Sequence, residues 1–161
     1  MEGVTLEQVT PGNLGAVLRL GVKMEQRRLV AENAKSLAEA YVYPDRAWPR
    51  VICVEGRPVG FVMLDLVGPD HPEAPDGRAS YFLWRLMIGA EHQGKGFGRA
   101  AMLAVIEHVR GLPDARWLDT SYVPGVHGPA GFYAGLGFVP TGEVDDGEIV
   151  TRLRFGEIAS G

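Results

Sequence analysis

The segment Gln93-Gly94-Lys95-Gly96-Phe97-Gly98-Arg99 combines three glycines with two cations at the junction of two contrasting patterns. Upstream, Tyr81 to Ile88 is an apolar and aromatic run broken only by Arg85, which predicts a central strand covered on both faces. Downstream from Gly98, Met102, Leu103, Val105, Ile106 and Val109 predict the apolar stripe of a helix ending at Gly111-Leu112-Pro113. A strand-loop-helix junction of this composition suits an anion. Glycines let the main chain approach a ligand without a Cβ in the way, and the first turn of a helix exposes N–H groups carrying partial positive charge. A pyrophosphate fits such a cradle, with Lys95 and Arg99 touching phosphate or raising the local potential.

Two other phosphate motifs fail on the same residues. Gly89 to Lys95 follows a Walker A loop, but Gly96 stands where a Ser or Thr hydroxyl would hold Mg²⁺. A dinucleotide fingerprint requires a third glycine at Arg99 and an early strand-helix-strand unit, and neither is present. The structural alternative is a flexible turn that opens a helix.

Gln93-x-x-Gly96-x-Gly98, following a strand that ends Leu86-Met87-Ile88, resembles the acetyl-CoA signature Q/R-x-x-G-x-G/A of the GCN5-related N-acetyltransferase (GNAT) family. Ser121-Tyr122-Val123-Pro124-Gly125 and then Gly131-Phe132-Tyr133-Ala134-Gly135-Leu136-Gly137-Phe138 are similar to its second landmark, a strand and a helix ending (F/Y)Y-x-x-L-G-F. The resemblance implies an α/β fold, with a mixed, mostly antiparallel sheet of about seven strands flanked by about four helices. It covers the whole chain, residues 1–161, as one domain, and homodimerisation is the matching family expectation. The cofactor it implies is acetyl-CoA. Leu86, Met87 and Ile88 would line the pantetheine arm and acetyl group, and Gln93, Gly94, Lys95, Gly96, Phe97, Gly98 and Arg99 would wrap the pyrophosphate. His127 stands where family members often have an Asn that contacts the arm, and Tyr133 falls beside the sulfur.

Direct transfer from a thioester in a ternary complex needs an unprotonated amine, whereas an aliphatic amine with a pKa of about 10.4 is mostly charged at neutral pH. The departing thiolate, of pKa about 8.5, needs a proton or a donor. Tyr133 is the expected donor, against the alternative of a core tyrosine sharing a face with Leu136. Main-chain N–H groups near Met87 and Ile88 would stabilise the developing oxyanion. Glu25, Glu32, Glu39 and Asp65 are the carboxylates available as a base, each with a solvated surface role as the alternative.

Val30-Ala31-x-Asn33-x-x-Ser36-Leu37-Ala38-Glu39-Ala40 and Leu83-Trp84-Arg85-Leu86-Met87-Ile88 resemble the bacterial spermine/spermidine (diamine) acetyltransferase subgroup. A polyamine acceptor follows from that resemblance, with Glu25 and Glu32 attracting its cations and Trp84 offering an aromatic face. Acetylation of an aminoglycoside-like antibiotic or a protein amine, and a non-catalytic acyl-CoA sensor, are the competing readings.

These residues sit on a chain of 161 amino acids with 46% hydrophobic and 22% charged residues, ordinary for a globular domain. The net charge of -4 disfavours a nucleic-acid surface. No apolar run approaches the roughly 20 residues that span a bilayer, and the N-terminus lacks a signal pattern, so a cytoplasmic protein is expected. The four histidines are dispersed and the single cysteine, Cys53, reads as an apolar strand residue, so no metal is expected. The remaining pattern predicts strands over Val4 to Thr10, Arg50 to Val54, Val59 to Val67 and Trp117 to Val123, with a closing hairpin around Asp146-Gly147. Helices are predicted after an Asn13 cap, over Ala31 to Tyr43 with Leu37, Ala38, Ala40 and Tyr41 on one face, and over Pro129 to Leu136. The polar segment Lys23 to Val30 between the first two helices can line a site.

Overall fold

The computed structural model describes residues 3–156. Strands β1 (Val4–Glu7), β2 (Ala47–Val54), β3 (Arg57–Val67), β4 (Ser80–Ile88), β5 (Trp117–Tyr122), β6 (Val139–Asp145) and β7 (Glu148–Arg154) form one sheet in the order β1-β2-β3-β4-β5-β7-β6. Every pairing is antiparallel except β4 with β5. Four helices complete the fold: α1 (Leu14–Arg19), α2 (Asn33–Val42), α3 (Phe97–Arg110) and α4 (Ala130–Gly135). Among the described residues no helix is long and apolar enough to cross a membrane.

Local chemistry sets the corners. β2–β3 and β6–β7 turn through Glu55-Gly56 (φ 51° and 75°) and Asp146-Gly147 (φ 48° and 79°), the left-handed pairs that match the twist of two-residue hairpins. Side chains alternate across the sheet, so each face has its own core. On one face Leu64, Leu83 and Leu118 pack against Met102, Val105 and Val109 of α3 and Tyr133 of α4. On the other, Val51, Phe61 and Met63 pack against Val17 of α1 and the half-buried Leu37 and Ala40 of α2. Cys53 is buried in β2, as expected of an apolar strand residue.

Three details differ from the sequence pattern. Leu103 is exposed, because Met102, Val105, Ile106 and Val109 already complete the i, i+3, i+4, i+7 stripe of α3. In α2, Ala38 and Tyr41 point to solvent while Asn33 and Ser36 are buried. The cause is polar: Asn33 Nδ2 donates to the Val17 carbonyl at 2.9 Å, tying α2 to α1 and satisfying a buried amide that hydropathy would send outward. Asn13 precedes α1 without capping it. Its Oδ1 accepts from Thr10 N–H at 2.8 Å and its Nδ2 donates to the Gln8 carbonyl at 2.9 Å, so the side chain fixes the preceding turn.

Candidate active site

The site begins with a break in the sheet. Arg85 opposes Met63 and Leu83 opposes Leu64, so Trp84 is an extra residue, a bulge that bends β4. On its other edge β4 registers with β5 only at Phe82 with Asp119 and Leu83 with Thr120, after which the two strands part. Thr120 Oγ1 donates to the Leu83 carbonyl at 2.9 Å and pins the vertex of this fork. Beyond it, Gly89 N–H donates to the Val59 carbonyl at 2.8 Å, and alternation makes Met87 and Phe61 the next hydrogen-bonded pair on β3. The main-chain groups of Leu86 and Ile88 therefore face the opening, whereas those of Met87 are committed to β3. Gly60 makes this close packing feasible, since a Cβ there would collide with the Met87 carbonyl and stand 2.8 Å from Ile88 Cδ1.

The glycine loop closes one end of the fork. Gly94 and Gly96 are left-handed at φ 76° and 83°, a region glycine enters without a Cβ penalty. The first helical hydrogen bond of α3 runs from Ala100 N–H to the Gly96 carbonyl at 3.1 Å, and among the described residues no carbonyl accepts from the N–H groups of Gln93 to Arg99. Consecutive donors at a helix start form an anion cradle. The Gln93 side chain plays a different part, since its Nε2 donates to the Ile88 carbonyl and to Gln26 Oε1, both at 2.9 Å. It thereby ties the end of β4 to the segment between α1 and α2. Arg99 reaches the Gly135 carbonyl at 3.4 Å, and Lys95 is exposed and stands outside the cleft wall.

The fork opens into a cleft of about 940 Å³. Leu86, Met87 and Ile88 line it, as do Gly94, Gly96 and Gly98 of the loop and the half-buried Phe97. His127, exposed on the loop after β5, lines it too. Tyr133 reaches the cleft from α4, where only 7% of it is exposed. Its ring lies 5.4 Å from Phe138 and 5.2 Å from Phe132, edge to face in both cases. Gly137, at φ 99°, ends the helix so that Phe138 N–H folds back to the Tyr133 carbonyl at 3.1 Å. The Tyr-x-x-Leu-Gly-Phe pattern is thus the local means of fixing that phenol. Burial pushes the Tyr133 hydroxyl up to about 12.

The acceptor residues expected from sequence divide. Trp84 lines the cleft at the bulge, but Glu25 and Glu32 are exposed and absent from its walls. Asp65 is held by Arg46 at 2.7 and 2.6 Å, and Glu39 is shared between Arg85 at 3.3 Å and Lys35 at 3.7 Å; neither lines the cleft. Each of the four carboxylates singled out as a base thus lies off the wall. The cleft carboxylates are Asp145 and Glu148, flanking the β6–β7 turn, and the Ser121 hydroxyl donates to Glu148 Oε1 at 3.3 Å. Sequence reasoning used Asp146-Gly147 as a turn signal and passed over its neighbours. The pairing of β7 with β5, Ile149 opposite Tyr122 and Val150 opposite Ser121, puts Glu148 beside the end of β5, a cross-strand relation with no local sequence signature. The cations Arg27, Arg28, Lys35 and Arg85 also line the cleft. Among the described residues no three His, Cys, Asp or Glu side chains gather as metal ligands.

This donor set fits a diphosphate at the start of α3 and an extended amide-bearing chain along the open edge of Leu86 and Ile88. Residues 12–138 match the profile described as the Acetyltransferase (GNAT) family. The spermine/spermidine N(1)-acetyltransferase of Bacillus subtilis (strain 168) is 29% identical over 148 residues, covering 88% of this chain and 91% of that protein. Two solved structures share the fold. An acetyltransferase from Thermus thermophilus superposes with a TM-score of 0.65 at 20% identity, covering 96% of this chain and 100% of that one. The aminoglycoside acetyltransferase AAC(6')-Ib, in complex with coenzyme A, superposes at 0.73 and 19% identity over 94% of this chain and 95% of its own. A profile match across most of the chain, on a forked seven-stranded sheet with a glycine cradle, identifies this protein as a GNAT-family N-acetyltransferase.

Proposed function

We propose that the protein transfers an acetyl group from acetyl-CoA to a primary amine of a small molecule by direct attack in a ternary complex. The observation that carries this reading is the fork: a strand edge left open at Leu86 and at the Ile88 N–H, ending in a loop whose amides from Gln93 to Arg99 bond no carbonyl among the described residues. The loop amides hold the diphosphate, Arg99 supplies charge beside them, and His127 offers a donor to the arm. Acetyl-CoA supplies the activated acetyl group as a thioester. The Ile88 N–H, turned into the opening, is the main-chain donor for charge developing on the carbonyl oxygen. Tyr133 donates to the leaving sulfur.

The acceptor is a polyamine or diamine, a reading supported by likeness to the Bacillus subtilis relative named for spermine and spermidine. Cations on the wall, Arg27, Arg28 and Lys35, favour a second reading in which the acceptor amine also carries anionic groups, as a peptide with acidic side chains near its N-terminus does. Thiol release from acetyl-CoA, measured against spermidine, putrescine, kanamycin and a short acidic peptide at fixed pH, separates the two. Turnover confined to the polyamines supports the first reading, turnover confined to the peptide the second, and the absence of turnover with every amine refutes catalysis of this kind. A homodimer is proposed from the family resemblance, with light scattering as its check.

A further inference from the structure

We propose that Glu148 is the base that removes the proton from the acceptor ammonium. The inference rests on direct transfer at the β4–β5 fork, and on no particular acceptor. Thr120 is the last β5 residue registered with β4, and it clasps Leu83 at the vertex. Ser121 follows it, and strand alternation sends its side chain to the opposite face of the sheet. Ser121 tethers Glu148 Oε1, while the adjacent Tyr122, on the other face, stacks on the Tyr133 ring with centroids 6.1 Å apart. Glu148 and Tyr133 therefore stand at the same level of the fork, on opposite faces of the sheet.

Direct transfer demands such a division. The nucleophile and the departing sulfur occupy different sides of the carbonyl, so a proton acceptor belongs with the amine and a donor with the sulfur. Glu148 is half-buried and anchored through one oxygen, and among the described residues no side chain bonds the other, whereas Asp145 is exposed at the hairpin end. The charged groups facing it are Asp145 across the turn, the Asp119–Arg152 pair further back on the same face, and Arg27, Arg28, Lys35 and Arg85 on the other walls. The ammonium gives one proton to Glu148. Its nitrogen pair then forms the C–N bond to the acetyl carbon, and the C–S pair leaves on sulfur, which accepts a hydrogen bond from Tyr133. The second nitrogen proton ends on that sulfur, giving amide and thiol, and Glu148 returns its proton to water.

The test measures kcat/KM for the amine turned over best, with spermidine as the first probe, at pH 7 and pH 10. Wild type, Glu148→Gln, Glu148→Asp and Ser121→Ala are compared, with calorimetric binding of coenzyme A and thermal melting as controls. At pH 7 about 1 in 2,500 molecules of an amine of pKa about 10.4 is unprotonated, against roughly 1 in 4 at pH 10. Glu148→Gln is expected to lose about 100-fold at pH 7 and less than about 10-fold at pH 10, with coenzyme A binding unchanged. Glu148→Asp and Ser121→Ala should lose severalfold, with the same dependence on pH, and they carry the test if Glu148→Gln folds poorly. A deficit below about 3-fold at pH 7, or one equal at both pH values, overturns the role as base. Coenzyme A binding without turnover of any amine by wild type removes the transfer reading and this inference together, whereas near-wild-type kcat/KM at pH 7 in Glu148→Gln removes this inference alone.

Discussion

Replacing Tyr133 with Phe removes one oxygen from a ring fixed by Phe132 and Phe138, and leaves its packing in place. The structural loss is small, within about 1 kcal/mol or roughly 2–4 °C in Tm for a chain of this length, because the ring contacts persist. The catalytic loss is larger, and the phenol's acidity decides its form. Burial holds the hydroxyl at about 12, whereas a thiol has a pKa of about 8.5. Handing the proton over completely would be uphill by a pKa gap of about 3.5, about 5 kcal/mol. In the role proposed for it, Tyr133 would therefore donate a hydrogen bond to charge developing on sulfur and keep its proton. Deleting one preorganised donor of that kind costs about 100- to 1,000-fold in kcat, with the KM for acetyl-CoA changed only severalfold. Steady-state thiol release with saturating amine checks this, and an unchanged kcat in Tyr133→Phe refutes the assignment. The raised pKa also links to stability. It favours the fold fully below pH 10, the ordinary phenol value, and that contribution is lost as pH rises through about 12, a difference of about 3 kcal/mol. Alkaline unfolding should thus be shallower in Tyr133→Phe, with buried Cys53, also raised to about 12, contributing equally to both proteins.

Other substitutions test the scaffold. Gly60→Ala places a methyl group against the Met87 carbonyl and Ile88 Cδ1; it should cost about 1–3 kcal/mol in thermal or urea denaturation and raise the KM for acetyl-CoA by displacing the end of β4. Gly96→Ala forces an L-residue to φ 83°, at about 1–2 kcal/mol, and calorimetry should show coenzyme A binding weakened about tenfold. Asp65→Asn removes the bidentate partner of Arg46 outside the cleft; melting should show a loss of about 1 kcal/mol while kcat/KM stays within about twofold. A large loss of activity there would return Asp65 to the candidate bases.

Much of the cleft around the glycine loop is legible in the sequence because its geometry is local. Gly94, Gly96 and the start of α3 are contiguous, and their conformations follow from residue type alone. The same holds for Tyr133-x-x-Leu136-Gly137-Phe138, where one glycine folds Phe138 back on the tyrosine, and for the Glu55-Gly56 and Asp146-Gly147 turns. The acceptor half is not local. Glu25 and Glu32 sit in a polar segment beside the cleft, yet helix and loop geometry turns them to solvent, and no spacing rule fixes that rotation. Glu148 meets Ser121 across 27 residues and Gln93 meets Gln26 across 67, contacts created by strand order and register.

By itself the sequence determined where the chain can turn, where a helix start follows a glycine loop and which phenol is held rigidly, because these depend on backbone preferences within a few residues. Tertiary structure decided where β4 bulges, which of its amides stay open and which carboxylates face the cleft. Each of those is a consequence of pairing between distant strands, where a shift of one residue would turn the side chain to the other face of the sheet.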